Sequence, residues 1–507
     1  MKKNIYQLVF AIGVASCLFI TLGCEDFLEP EPKTFETKEN FFQSEDQFLL
    51  SVNSAYARLQ EWVLQAHVLL ESRSDNTTYD NQLNLGVSQH LARVDWFIPN
   101  TDIPQVNNAW DLLFRGIKET NVPLSVIDEA VSNGILDQNL GSRMEGELKF
   151  LRAFYYFNAI RLWGDVPLIL EPITNGLQAF EIVRSPKNEI LGVIKSDLET
   201  AVNQLPDTYD SGNRGRATKN AARSLLASVL MWNSEYSNAE NTLRNIVNSG
   251  MYELLEDYSQ IFSPDNKFNS ELIFEVGFKE GGEGESSNFI YQFSPVGSFP
   301  EVIPTLVGDG VWGKNLPTRE LVSAYEEGDK RLEASIGFFD RSDTENIPYI
   351  RKWPEATDEN FARTNHNWPL FRYSEILLLL AEAVNEQGFS SGEPFELLNR
   401  IRIRAGLDPK TPSEIPDQSS FRQALIQERR IELAFENKRW FDLVRFNIAT
   451  GVIKEHGAIE ISNPTTTLTS VLPLDPRAYE VEPFMLLFPI PQNELIVNPN
   501  MEQNPGY

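Results

Sequence analysis

Amphipathic helices that recur in pairs constrain this chain more than any other feature. A helix begins near Ala217 and places Ala222, Leu225, Val229 and Trp232 on one face at three- and four-residue steps. After Glu235-Tyr236 a second helix runs from Ala239 to Val247 and closes at Ser249-Gly250. The unit occupies about 34 residues, the period of a tetratricopeptide unit. Trp232, Tyr236 and Ala239 sit roughly where such units place packing residues, although the full consensus is absent. One pair cannot bury its apolar face alone, so pairs must stack.

Other segments repeat the pattern. Gly141–Leu170 is the clearest, with Leu148, Leu151, Tyr155, Ala159 and Leu162 forming one stripe that Gly164 and Pro167 end. Asp46–Leu70, Ala109–Val131, Asn188–Gln204, Phe371–Glu386 and Pro394–Arg404 read as helices, and Phe421–Phe446 as one long final helix. Between Ile261 and Pro369 glycine, proline and aromatics accumulate. There only Thr318–Glu326 reads as a helix, and Leu272–Phe278 reads as a short strand. The expected fold is mainly α: a tetratricopeptide-like helix-pair scaffold with a loop-rich insertion containing short strands. Its parts are a leader over 1–23, a tether over 24–45 and one domain over 46–507. Within that domain the scaffold covers about 46–260 and 370–450, the insertion about 261–369 and a tail 451–507. Loops on such scaffolds usually carry the function.

The N-terminus reads as a lipoprotein leader. Lys2 and Lys3 give a positive start, Leu8 to Leu22 are uncharged and mostly apolar, and Thr21-Leu22-Gly23 supplies small residues before Cys24. The run falls short of the roughly 20 residues that span a bilayer. The mature chain is therefore expected to begin at a lipidated Cys24, held stably if it carries two or more acyl chains. Cys17, after Val14-Ala15-Ser16, is a rival that would leave a very short apolar core and a hydrophobic stub. These are the chain's 2 cysteines, so the mature protein has no disulfide, cysteine nucleophile or thiolate metal site. Glu25, Asp26, Glu29 and Glu31 follow as a solvated tether or an acidic sorting signal. Losing Lys2 and Lys3 takes the net charge from −28 to −30. That charge repels phosphate backbones and argues against nucleic acid as a partner.

Catalytic signatures are scarce. The 4 histidines, His67, His90, His366 and His456, are isolated, with no H-E-x-x-H pattern, and read as structural or surface residues. No G-x-S-x-G elbow or phosphate-cradling loop appears. A glycosidase needs only two carboxylates, but with 72 acidic residues any pairing picked from sequence is arbitrary. Glu428, Glu432 and Glu436 share a helical face with Arg429, Arg430 and Arg439 interleaved, which reads as a salt-bridged structural helix. The reading calls for no metal and no cofactor.

The polar run from Ser72 to Asn81 is dense in side-chain oxygens and amides and holds one aromatic, Tyr79. Polar groups beside a ring suit a sugar, whose hydroxyls need hydrogen bonds and whose C–H face stacks. An ordinary capped surface loop is the alternative, and the spacing does not match an EF-hand. Of the 9 tryptophans, Trp62, Trp110, Trp163, Trp232 and Trp440 lie in helical patterns and read as core. Trp96, Trp312, Trp353 and Trp368 lie in irregular segments and, with Tyr79, Tyr291 and Phe299, form the pool for a ligand platform. The expected site has Asp75, Asn76 and Tyr79 as one wall of a shallow groove. Trp96, Tyr291 and Trp312 offer the stacking faces. The alternative packs Trp96 and Trp312 under long loops.

Ordered blocks then bring a family into view. They are Asp26-Phe27-Leu28-Glu29-Pro30, Phe114-Arg115-Gly116-Ile117, and Leu151 to Phe157 with Trp163-Gly164-Asp165-Val166-Pro167-Leu168. Arg372 to Leu378, Arg400 to Leu407, Glu428 to Phe435 with Arg439-Trp440-Phe441-Asp442-Leu443, and Pro489-Ile490-Pro491 to Gly506-Tyr507 follow. Over nearly its whole mature length the chain resembles the SusD/RagB family of outer-membrane lipoproteins. The resemblance implies tetratricopeptide-like helix pairs with a variable loop-rich half. It also implies a surface lid of a SusC-like, TonB-dependent transporter that captures oligo- or polysaccharide. Peptide cargo, a purely structural lid subunit and a surface glycosidase are the alternatives. These blocks are mostly scaffold, so no ligand-binding residue carries over.

Overall fold

Gly116 lies where two long helices cross, because a Cβ there would come within 2.7 Å of the Tyr155 ring. The absent side chain lets Pro104–Leu124 approach Gln138–Trp163, and the Tyr155 hydroxyl reaches past to donate to the Ala55 carbonyl at 2.6 Å. The structure, a computed structural model, describes residues 41–80, 85–280, 285–303, 312–342, 345–354, 363–466 and 474–507. Cys17 and Cys24 lie outside the described residues.

The architecture is mainly α, and the helices stack in a continuous series. Glu45–Gln65 packs on Pro104–Leu124, which packs on Gln138–Trp163. Lys187–Gln204 follows, then Lys219–Trp232 and Tyr236–Val247. Tyr236–Val247 meets Tyr373–Gln387, which packs against Glu393–Arg404 and Gln418–Glu432. Gln138–Trp163 is deeply enclosed, buried on every side from Phe150 to Ile160. Its N-terminus is capped by Asp137, whose carboxylate accepts from the Asn139 and Leu140 amides, and Gly164 at φ 76° stops it.

The insertion is stitched shut where it leaves and rejoins the helices. Leu272–Val276 pairs antiparallel with Trp368–Arg372, and the Tyr373 amide donates to the Glu271 carbonyl at 2.8 Å. Ile336–Ser342 and Glu345–Ile350 form a second antiparallel pair, and Thr77–Thr78 pairs with Leu316–Pro317. The insertion holds more helix than expected. Arg319–Ser323, capped by Thr318, replaces the longer Thr318–Glu326, and Phe289–Phe293 and Lys330–Ser335 join it.

The expected single helix over Phe421–Phe446 is instead broken in two, Gln418–Glu432 and Arg439–Arg445, and Ala449–Ser462 follows in the expected tail. Phe435 and Asn437 stand at φ 70° and 62°, conformations costing roughly 1–2 kcal/mol each for residues with a Cβ. Tertiary bonds offset the cost: the Asn437 amide donates to Glu71 Oε1 at 2.6 Å, and Glu436 accepts from Lys352 and Arg372, each at 2.8 Å. Apolar residues on both sides stay buried, so the periodicity runs through the break and hides it.

Candidate functional site

The polar run expected on a groove wall is interior. Ser72 through Asp80 are all buried, and the side-chain oxygens of Asp75, Asn76, Thr78 and Asp80 are spent on the protein itself. Both Asp75 oxygens accept from Arg439, at 2.8 and 2.7 Å, and Arg430 adds an ion pair at 2.9 Å. Burial opposes ionisation of Asp75, yet these two guanidinium groups hold its carboxyl well below the usual range. Asn76 Oδ1 accepts from Arg430 Nε at 2.9 Å, and its carbonyl accepts from the Thr318 amide at 2.9 Å. Thr78 donates to Asp95 at 2.9 Å; burial pushes the Asp95 carboxyl up to about 7.

The expected salt-bridged row is likewise internal, and most of its partners come from other elements. Arg331 donates to Glu428 at 2.6 Å and Glu432 at 3.0 Å. Arg372 binds Glu271 at 3.1 Å and Glu436 at 2.8 Å. Arg429 binds Asp442 at 2.9 Å. Arg404, Arg372 and Arg331 hold the Glu432 carboxyl well below its usual range despite its burial. Such a network fixes elements against one another and presents no group to a ligand.

Of the expected aromatics, Tyr79, Trp96 and Tyr291 are buried. Tyr79 and Trp96 face each other, with ring centroids 6.2 Å apart, under the segment whose Tyr479 amide donates to the Trp96 carbonyl at 2.9 Å. Trp353 and Trp368 are also buried, stacked at 4.6 Å. Long loops cover rings as well as helices do, which is why irregular sequence did not mean exposure. Trp312 and Phe299 alone of that pool keep accessible surface.

Trp312 is firmly placed. The amides of Trp312, Gly313 and Lys314 donate to the Tyr291, Ser294 and Gln292 carbonyls at 2.8, 2.9 and 2.8 Å. This fixes the segment against the helix Phe289–Phe293. Lys314 Nζ lies 4.5 Å from the centroid of the Trp312 ring. The Asp80 amide donates to the Gly313 carbonyl at 2.7 Å, and Thr466 Oγ1 to the Tyr79 carbonyl at 3.4 Å, so Asp80, Trp312 and Thr466 converge. Arg341 of the hairpin pairs with Asp80, and the Val296 amide donates to Asp80 Oδ2 at 2.8 Å. A partly exposed ring, fixed from behind by backbone bonds and flanked by a cation, can stack on a flat C–H surface and donate hydrogen bonds beside it. Lys314 escaped the sequence reading; its i, i+2 spacing from Trp312 in an extended segment was the one available signal. Elsewhere Ile173, Phe180, Val183, Ile496 and Val497 are exposed on two segments joined by Asn498 and Asn500, which donate to the Ala179, Ile182 and Phe180 carbonyls. Grouped apolar exposure of this kind marks a contact with another protein or a membrane.

Comparison with known proteins matches two parts of the chain to family models. Residues 26–231 match a model described as "Starch-binding associating with outer membrane", and residues 337–507 match the SusD family. The SusD-like protein P25 of Formosa agariphila is 27% identical over 98% of this chain and 97% of its own length. The starch-binding protein SusD of Bacteroides thetaiotaomicron is 26% identical over 80% of this chain and 82% of its own. The solved structure of surface glycan-binding protein A from Bacteroides fluxus superposes with a TM-score of 0.75 at 26% identity, covering 92% of this chain and all of that one.

Proposed function

Because this chain belongs to the SusD/RagB family, we propose that it is a surface lipoprotein that captures oligosaccharide on its loop-rich face and delivers it to a SusC-like, TonB-dependent transporter. The observation that carries this reading is Trp312: a large ring left partly exposed within the insertion, its segment braced by three backbone hydrogen bonds and flanked by Lys314. Relatives whose names specify starch or surface glycan support the ligand class. The ligand platform shrinks to Trp312, with Phe299 as the other ring of the expected pool that stays exposed. Asp75, Asn76, Tyr79, Trp96 and Tyr291 serve as the rigid backing of that face.

The protein binds without catalysis in this reading. It sits on the outer face of the outer membrane, tethered through Cys24. No helix among the described residues is long and apolar enough to cross a membrane. The exposed apolar group around Phe180 and Val497 supports a protein contact such as a transporter would make. A glycan array on residues 25–507 tests the ligand class. Binding to one or more polysaccharides that Trp312→Ala weakens, without release of reducing ends, is the expected result. Steady release of reducing ends, or no glycan bound, overturns it.

A further inference from the structure

A cavity of about 250 Å³ opens between the loop 207–216 and the segment 268–275, sharing no residue with the Trp312 cluster. Phe268 forms one wall, and its conformation is costly. It is 37% exposed and stands at φ 54°, a left-handed backbone that a bulky residue rarely adopts. The Glu275 carboxylate holds it there by accepting the Phe268 amide at 2.6 Å. Facing the ring is Gly215 at φ 92°, where a Cβ would come within 3.7 Å of the Phe268 ring. Two left-handed residues from separate segments thus hold an exposed phenylalanine at the mouth of a cavity instead of burying it. Strain of this kind collects at binding sites.

The remaining walls fit a ring with polar edges. Tyr209 and Tyr252 line the cavity and are partly buried, and the Tyr209 hydroxyl is pinned by donating to the Ala217 carbonyl at 3.2 Å. Asp207 and Arg214 are exposed at the rim, one carboxylate and one guanidinium. Arg216 also lines the cavity, but its guanidinium is paired with Glu147 at 2.8 Å, which leaves Arg214 beside Asp207 and Glu275, a balance that suits hydroxyls better than a phosphate or sulfate. The volume lies just below the roughly 300–1,000 Å³ of pockets for drug-sized ligands, so one or two small rings fill it.

We propose that this cavity is a second carbohydrate site, taking a neutral pyranose of the same polymer that reaches Trp312. The ligand class rests on the glycan-capture reading; the cavity itself does not. Two sites on one protein engage a long chain together, and such linkage raises apparent affinity well beyond either site alone.

Native gels cast with soluble starch, laminarin, xylan or galactan test the proposal. They are paired with hydrogen–deuterium exchange on the wild type with and without the retarding polymer. Phe268→Gly removes the ring, and glycine adopts the left-handed backbone without strain, so this variant keeps the fold. Arg214→Ala changes only an exposed side chain. The expected result is that the polymer protects 207–216 and 268–275 in the wild type. Both variants should bind the polymer about tenfold more weakly while binding its trisaccharide unchanged. Wild-type polymer affinity in both variants with no protection of 207–216 overturns the second site and leaves capture at Trp312 standing. If none of the four polymers retards the wild type, this proposal falls together with the glycan reading.

Discussion

Asp75 and Arg439, 364 positions apart, meet in the interior through two hydrogen bonds of 2.8 and 2.7 Å. This bidentate pair, with Arg430 alongside, clamps the loop after the first helices to the turn that opens the helix Arg439–Arg445. Removing the carboxylate leaves the Arg439 guanidinium buried without its paired carboxylate, while Arg430 keeps Glu320 at 3.0 Å. Asp75→Ala should therefore cost about 3–5 kcal/mol of stability. Denaturant titration should show a lower midpoint, and glycan affinity of the folded protein should stay within twofold of the wild type. A variant as stable as the wild type would contradict the burial of this pair.

Trp96 and Trp312 should separate cleanly. Trp96→Ala empties a buried space beside Tyr79 and should lower stability by about 3–5 kcal/mol, leaving glycan affinity intact. Trp312→Ala should barely move the melting temperature and should cost about 2 kcal/mol of affinity, near thirtyfold. Calorimetric melts and titrations on the same two proteins decide the matter.

Glu71 gives a pH signature. Burial pushes its carboxyl up to about 8, against about 4.3 in an unfolded chain. The folded state thus holds a proton that the unfolded chain releases. The contribution of this group is complete below about pH 4 and declines as pH rises through 8. Glutamine keeps an oxygen for the Asn437 amide and removes the ionisation. Glu71→Gln should match the wild type near pH 4 and exceed it increasingly up to pH 9, on the scale of roughly 1.4 kcal/mol for each pH unit between the two values. Urea midpoints across pH 4–9 check this, and parallel curves would count against it.

If Cys24 carries the proposed lipid tether, Cys24→Ala should be recovered in the soluble periplasmic fraction. Cell fractionation checks the tether. Retention of the variant in the membrane would direct attention to Cys17 or to a partner that holds the protein there.

The sequence by itself determined the helices, because a helix is written in neighbours three and four positions apart. Leu148, Leu151, Tyr155 and Ala159 announce Gln138–Trp163, and Gly164 announces its end. The pair Lys219–Trp232 and Tyr236–Val247, and the change of texture after Ile261, were legible in the same way. The break between Glu432 and Arg439 was not, because it is held by Glu71, Lys352 and Arg372, all distant in the chain. Nor was the fate of the run from Ser72 to Asp80. Polar composition does not say whether water, a sugar or an arginine will satisfy the oxygens. Here Arg430 and Arg439 satisfy those of Asp75 and Asn76, and the energy of that choice depends on burial, which only the packed tertiary structure creates. The same packing covered Trp96 and Tyr291 and left Trp312 partly accessible, deciding which of several equivalent-looking aromatics remains at the surface.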